Sequence, residues 1–144
     1  MHSSKKIQLD LKIIPSNEET EIDGIIFSGV VYIQATVSGI VLLEQELFSG
    51  SFIFLKELGL STMKSGEYLI FTSVSGIADD AGWDRVTVKH DGSHINWVIQ
   101  RDGNILQYLF DKEEYIREVR NIEQQISEVD NNLKLEPIHV IYPE

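Results

Sequence analysis

The chain has 144 residues, 42% of them hydrophobic and 24% charged, with a formal net charge of -11 and a pI near 4.7. That length suits a single domain spanning residues 1–144 with its own core, and the composition argues against wholesale disorder. The acidity disfavours nucleic acid and anionic membrane and favours a basic partner, while the absence of cysteine removes disulfides, thiolate metal sites and thiol catalysis.

After Met1-His2-Ser3-Ser4-Lys5-Lys6, residues Ile7, Leu9, Leu11 and Ile13 alternate with polar ones. No secretory signal is expected there, and a soluble cytoplasmic protein is. The alternation predicts a half-buried strand over 6–14, ended by Pro15. The polar stretch 16–23, carrying Glu18, Glu19, Glu21 and Asp23, reads as a solvated loop that could meet a basic partner. Residues 25–43 carry no charge and approach the length of a membrane span. Their β-branched content, the interruptions at Gly29, Gln34 and Ser38-Gly39, and acids on both flanks predict two buried strands instead. These are 25–37 and 40–48, a long hairpin turning at Ser38-Gly39, and no membrane span is expected.

Ser49-Gly50-Ser51 breaks the pattern. In 52–60, Phe52, Leu55 and Leu58 have helical spacing, whereas Phe52-Ile53-Phe54 suits a strand; a short helix is the expectation. A turn at Lys64-Ser65-Gly66 leads to a strand over 68–75 and then to an acidic loop over 76–82. Asp79, Asp80 and Asp84 crowd this region beside Trp83, without the spacing of a calcium loop.

Asp91-Gly92 and Asp102-Gly103 sit between alternating apolar runs, the signal for two-residue hairpin turns. Counting outward predicts a three-stranded meander. Val88 faces Ile95 and Val86 faces Trp97; across the second turn Ile99 faces Leu106, Trp97 faces Tyr108 and Ile95 faces Phe110. All lie on one face, with Arg85, Thr87, Lys89, His94, Asn96, Gln100 and Gln107 on the other, Val98, Ile105 and Leu109 among them. His90 and His94 then point to opposite faces and cannot share one metal ion.

From Asp111 the apolar period changes to that of a helix, with Tyr115, Val119, Ile122, Ile126, Val129 and Leu133 on one stripe. Asp111 and Glu114 stand as in a capping box, and Phe110 and Tyr115 as in a hydrophobic staple. The stripe should cover the meander's apolar face, although its spacing could instead zip against a second copy as a homodimer. Pro137 precedes a last short strand over 138–142. The expected fold is α+β: an antiparallel sheet with a three-stranded meander covered by one long C-terminal helix.

No nucleophile elbow, phosphate-binding loop or dinucleotide fingerprint occurs, and no paired carboxylates are selected by spacing. Neither a catalytic residue nor a cofactor or metal ligand is expected. In size, acidity, lack of cysteine and strands-then-helix plan, the chain resembles the small cytoplasmic immunity proteins that neutralise bacterial polymorphic toxins. The resemblance implies a non-enzymatic module that occludes a basic toxin by charge complementarity. Its contact surface would be Glu18, Glu19, Glu21, Asp23, Asp79, Asp80, Trp83 and Asp84. Two alternatives stand beside it: a small-molecule-binding protein or minor enzyme with a site between helix and sheet near Trp83, His94 and Asp84, and a structural homo-oligomer.

Overall fold

The computed structural model describes residues 4–22, 24–73, 85–101, 103–129 and 132–137. In chain order these form β1 (Ile7–Ile14), β2 (Thr20–Ile22), β3 (Ile25–Phe27), β4 (Val30–Val37), β5 (Ile40–Val41), β6 (Ser51–Ile53) and helix α1 (Leu55–Leu60). There follow β7 (Gly66–Tyr68), β8 (Phe71–Ser73), β9 (Val86–Asp91), β10 (His94–Arg101), β11 (Asn104–Asp111), helix α2 (Lys112–Ser127) and β12 (Lys134–Leu135). Mostly antiparallel sheets with one long helix near the C-terminus make the fold α+β. No helix among the described residues is long and apolar enough to cross a membrane.

Two four-stranded sheets carry the fold. One orders β1-β4-β12 with β5 added to β4, the other β11-β10-β9-β7. They are joined at Lys5, whose backbone N–H donates to Leu109 O at 2.6 Å. The core lies where the inner faces meet, with Ile7, Leu9, Ile33 and Ala35 from the first sheet and Val86, Val88, Ile95, Trp97 and Phe110 from the second. Helix α2 closes it with Tyr115, Val119 and Ile122, all fully buried, as the stripe predicts. Ile126 packs at its border. The helix stops at Ser127, so Val129 and Leu133 lie beyond the helical part of the stripe.

The second hairpin has the predicted register, with Ile99 opposite Leu106, Trp97 opposite Tyr108 and Ile95 opposite Phe110. The first is shifted. Its loop is Gly92-Ser93 rather than Asp91-Gly92, so Asp91 joins the strand opposite His94, and Trp97 faces Val88 instead of Val86. The slip is by two residues, and side chains alternate with period two, so every residue keeps its predicted face. Gly92 and Gly103 both have positive φ, at 59° and 78°.

Four other expectations are corrected. The run 25–37 breaks at Ser28-Gly29, where Gly29 has φ 65°, and β3 pairs with β2 within what was expected to be a plain loop. The second arm of the long hairpin shrinks to β5; 3-10 turns over Leu42–Glu44 and Glu46–Phe48 replace the rest. Residues 52–60 divide between β6 and α1, each half of the ambiguous signal being satisfied in turn. The strand expected over 68–75 divides between β7 and β8, its last two residues lying outside the described residues together with the loop 76–82 and the strand 138–142.

Helix α2 begins as predicted, the Asp111 carboxylate accepting from Glu114 N at 3.0 Å and Phe110 stacking on Tyr115 at 5.7 Å. The box is not reciprocal, however. Glu114 Oε1 accepts from Ile7 N and Glu118 Oε1 from Leu9 N, both at 3.0 Å. Four residues of helix rise about 6 Å and two residues of strand about 6.7 Å, so carboxylates spaced i, i+4 match every second N–H along β1. The helix thereby supplies acceptors to an edge that no strand covers among the described residues.

Candidate functional site

A cleft of about 650 Å³ opens between the end of the β4–β5 hairpin, the two 3-10 turns and the inner side of β11. Each wall has a local cause. Ser38 and Gly39 both have positive φ, 48° and 84°, which the tight turn from β4 into β5 requires. The 3-10 turns are held from across the molecule by Arg101, itself buried at the end of β10. Its guanidinium donates to Leu47 O and, at 3.2 Å, to Ser49 O. Lys5 and the β11 residues Asn104, Leu106 and Tyr108 complete the enclosure.

Buried Val37, Leu42 and Phe48, with half-buried Leu106, give the cleft an apolar lining. Its polar groups are Lys5, Ser38, Gln45, Glu46, Asn104 and the Tyr108 phenol. Burial raises the Tyr108 hydroxyl above its usual pKa, so it remains protonated and able to both donate and accept. Ile40 stands at the mouth with 52% of its surface exposed. No histidine lines the cleft among the described residues, and the Ser38 hydroxyl accepts from Lys6 N at 3.4 Å. The arrangement can seat an apolar group and orient polar ones around it; it pairs no nucleophile with a base.

The residues singled out from sequence lie elsewhere. Glu18, Glu19 and Glu21 are exposed on the approach to β2 and in it, and none lines the cleft. Asp23, Asp79, Asp80, Trp83 and Asp84 lie outside the described residues. His90 and His94 do point to opposite faces. The His90 ring donates from Nε2 to Ser61 O at 2.8 Å, beneath the sheet, whereas His94 Nδ1 lies 3.3 Å from Ser93 Oγ. Among the described residues no three of His, Asp and Glu gather to hold a metal ion.

The space expected to hold a ligand between helix and sheet is filled by side chains. Trp97 meets Phe71, Phe110 and Tyr115 edge-on, with ring centroids 5.9, 5.0 and 5.8 Å away. Its Nε1 donates to the Tyr115 hydroxyl at 3.1 Å, and that hydroxyl lies 2.6 Å from Ser61 Oγ. Ser61 spends its own proton on Leu58 O, so Tyr115 must donate to Ser61 and the chain of bonds runs one way. His94, the remaining described residue of that expectation, belongs to the outer face of the sheet.

Sequence reasoning missed the cleft because its walls come from segments that meet only in the folded chain. The uncharged run 104–110 was the one local sign of it. No protein-family model matches the chain, and neither a curated protein nor a solved structure matches it.

Proposed function

We propose that the chain is a non-enzymatic protein-binding module whose partner seats an apolar side chain in the cleft beside β11. The observation that carries this reading is a buried apolar lining inside an uneven polar rim, the anatomy of a recognition pocket rather than of a reaction centre. The net charge of -11 favours a cationic partner, as neutralisation of a basic toxin would require. The exposed acids Glu18, Glu19 and Glu21 then steer the approach while the cleft holds the contact.

The test is to pan a random peptide library against the wild type, Leu106→Asp and Ile40→Asp. The wild type should select peptides with an apolar anchor and basic flanks, and binding should weaken as salt rises. Both variants should bind them about tenfold or more weakly, a loss of about 1.4 kcal/mol or more. Ile40 is half exposed, so its replacement leaves the melting temperature in place. Equal binding by all three proteins would reject the cleft. A small molecule is the second reading, because the volume is that of an ordinary ligand pocket. Native mass spectrometry of freshly purified protein would then show a bound mass that Leu106→Asp loses.

A further inference from the structure

We infer that the cleft beside β11 takes the C-terminal end of a partner polypeptide, its terminal carboxylate against Lys5 and a basic residue upstream against Glu46. The inference rests on the cleft reading and adds to it a direction and a chain end.

The charges of the cleft stand at its two ends. Among the described residues Lys5 is its one cation and Glu46 its one anion; both are exposed and neither makes an ion pair. Lys5 lies at the level of Leu109, to whose carbonyl its backbone N–H donates. Ser38 belongs to the same end, because its N–H donates to Lys6 O at 2.8 Å. Glu46 belongs to the other. Arg101 pairs with Asn104 in the sheet and holds the carbonyl of Leu47, the residue after Glu46. Leu109 and Asn104 stand five strand residues apart, about 17 Å. Leu106 lies between them, with Leu42 and Phe48 on the facing wall.

The Lys5 end is a set of donors. With the ammonium come the Ser38 hydroxyl, which accepts from Lys6 N and keeps its own proton, and the Tyr108 hydroxyl, which burial keeps protonated. An ammonium and two hydroxyls suit a carboxylate, whereas Glu46 suits Lys or Arg. The bond from Lys5 to Leu109 ties the chain across this end, so a ligand running along β11 stops there. A carboxylate at the point where a polypeptide stops is its C-terminus. Extended backbone rises about 3.4 Å per residue, so the last five residues of a partner span the cleft from end to end. An apolar side chain at the middle of the five sits against Leu106, and Lys or Arg at the first reaches Glu46. The acidic chain thus draws a basic partner and keeps one lysine for the negative charge at that partner's end.

Random pentapeptides synthesised as free acids and as carboxamides test this by affinity selection on the full chain, with bound sequences read by mass spectrometry. The wild type should enrich free acids with Lys or Arg at the first position and an apolar residue at the third. Calorimetric titration of an enriched sequence should show its carboxamide about tenfold or more weaker. In Lys5→Gln that advantage of the free acid should vanish, and Glu46→Gln should lose the preference for Lys or Arg. Both positions are exposed, so the melting temperatures should stay in place. Free acid and carboxamide bound equally, and both weakened by Leu106→Asp, would overturn the inference and leave the cleft reading standing. Carboxamides ending in Asp or Glu and enriched as strongly as the free acids would overturn it too, since a side chain then supplies the carboxylate. No pentapeptide enriched, or enrichment unaltered by Leu106→Asp, would overturn the cleft reading and this inference with it.

Discussion

Trp97 is the residue on which the interior turns. It is fully buried, with three aromatic rings edge-on to it and its one polar atom bonded to Tyr115. Trp97→Ala should cost about 3–5 kcal/mol in urea unfolding, from lost burial and the cavity left behind. Tyr115→Phe should cost about 1–3 kcal/mol, because it strands the indole N–H without an acceptor and takes from Ser61 its donor. Burial raises the Tyr115 phenol above its usual 10.0, with smaller opposing contributions from its hydrogen bonds to Ser61 and Trp97. The unfolded chain therefore releases that proton first. The corresponding stability is complete below pH 10 and is lost as the pH rises towards the folded value. Tyr115→Phe should make the alkaline decline shallower in unfolding curves taken on either side of pH 10. Placing Trp97 inside required only the parity of the meander. The partnership of His90 with Ser61 was beyond any local pattern, since it joins β9 to the end of α1.

Elements were legible where one local rule decides them and lost where a distant contact does. The Asp102-Gly103 pair predicts the register of its hairpin, whereas at Asp91 a loop moved by one residue, to Gly92-Ser93, slips the register by two. Both Gly92 and Gly103 have open space where a Cβ would stand, so alanine there meets no clash and suffers only the left-handed backbone. Each replacement should cost about 1–2 kcal/mol, read from thermal or urea melts. The arm expected over 40–48 was misread because Arg101 holds 47–49 by their carbonyls, and apolar residues in a 3-10 turn resemble a buried strand. The helix start was read correctly from Asp111, but the target of Glu114 was not. Glu118→Ala should remove the acceptor of Leu9 N, speed exchange of that amide and cost about 1–3 kcal/mol, while Glu118→Gln, which keeps a carbonyl, should retain most of the protection. Unchanged exchange at Leu9 in Glu118→Ala would mean that water satisfies the edge instead.

Over the whole molecule, two sheets meet at Lys5 and share one aromatic core. The gap between the 3-10 turns and β11 has an apolar lining and a polar rim. Composition points to an acidic module without catalytic motifs, and charge alone points to 18–23 and 79–84 as its contact surface. Charge shows where a partner is drawn from a distance; it does not show where side chains interlock, because the cleft forms only when 37–48 and 104–108 come together. The most direct test is amide chemical-shift mapping of isotope-labelled protein titrated with a peptide selected on the wild type. Shifts concentrated on residues 37–48 and 104–108, with little change at Glu18, Glu19 and Glu21, are the expected result. Shifts confined to those three acids or to the outer face around His94, with the cleft silent, would contradict it.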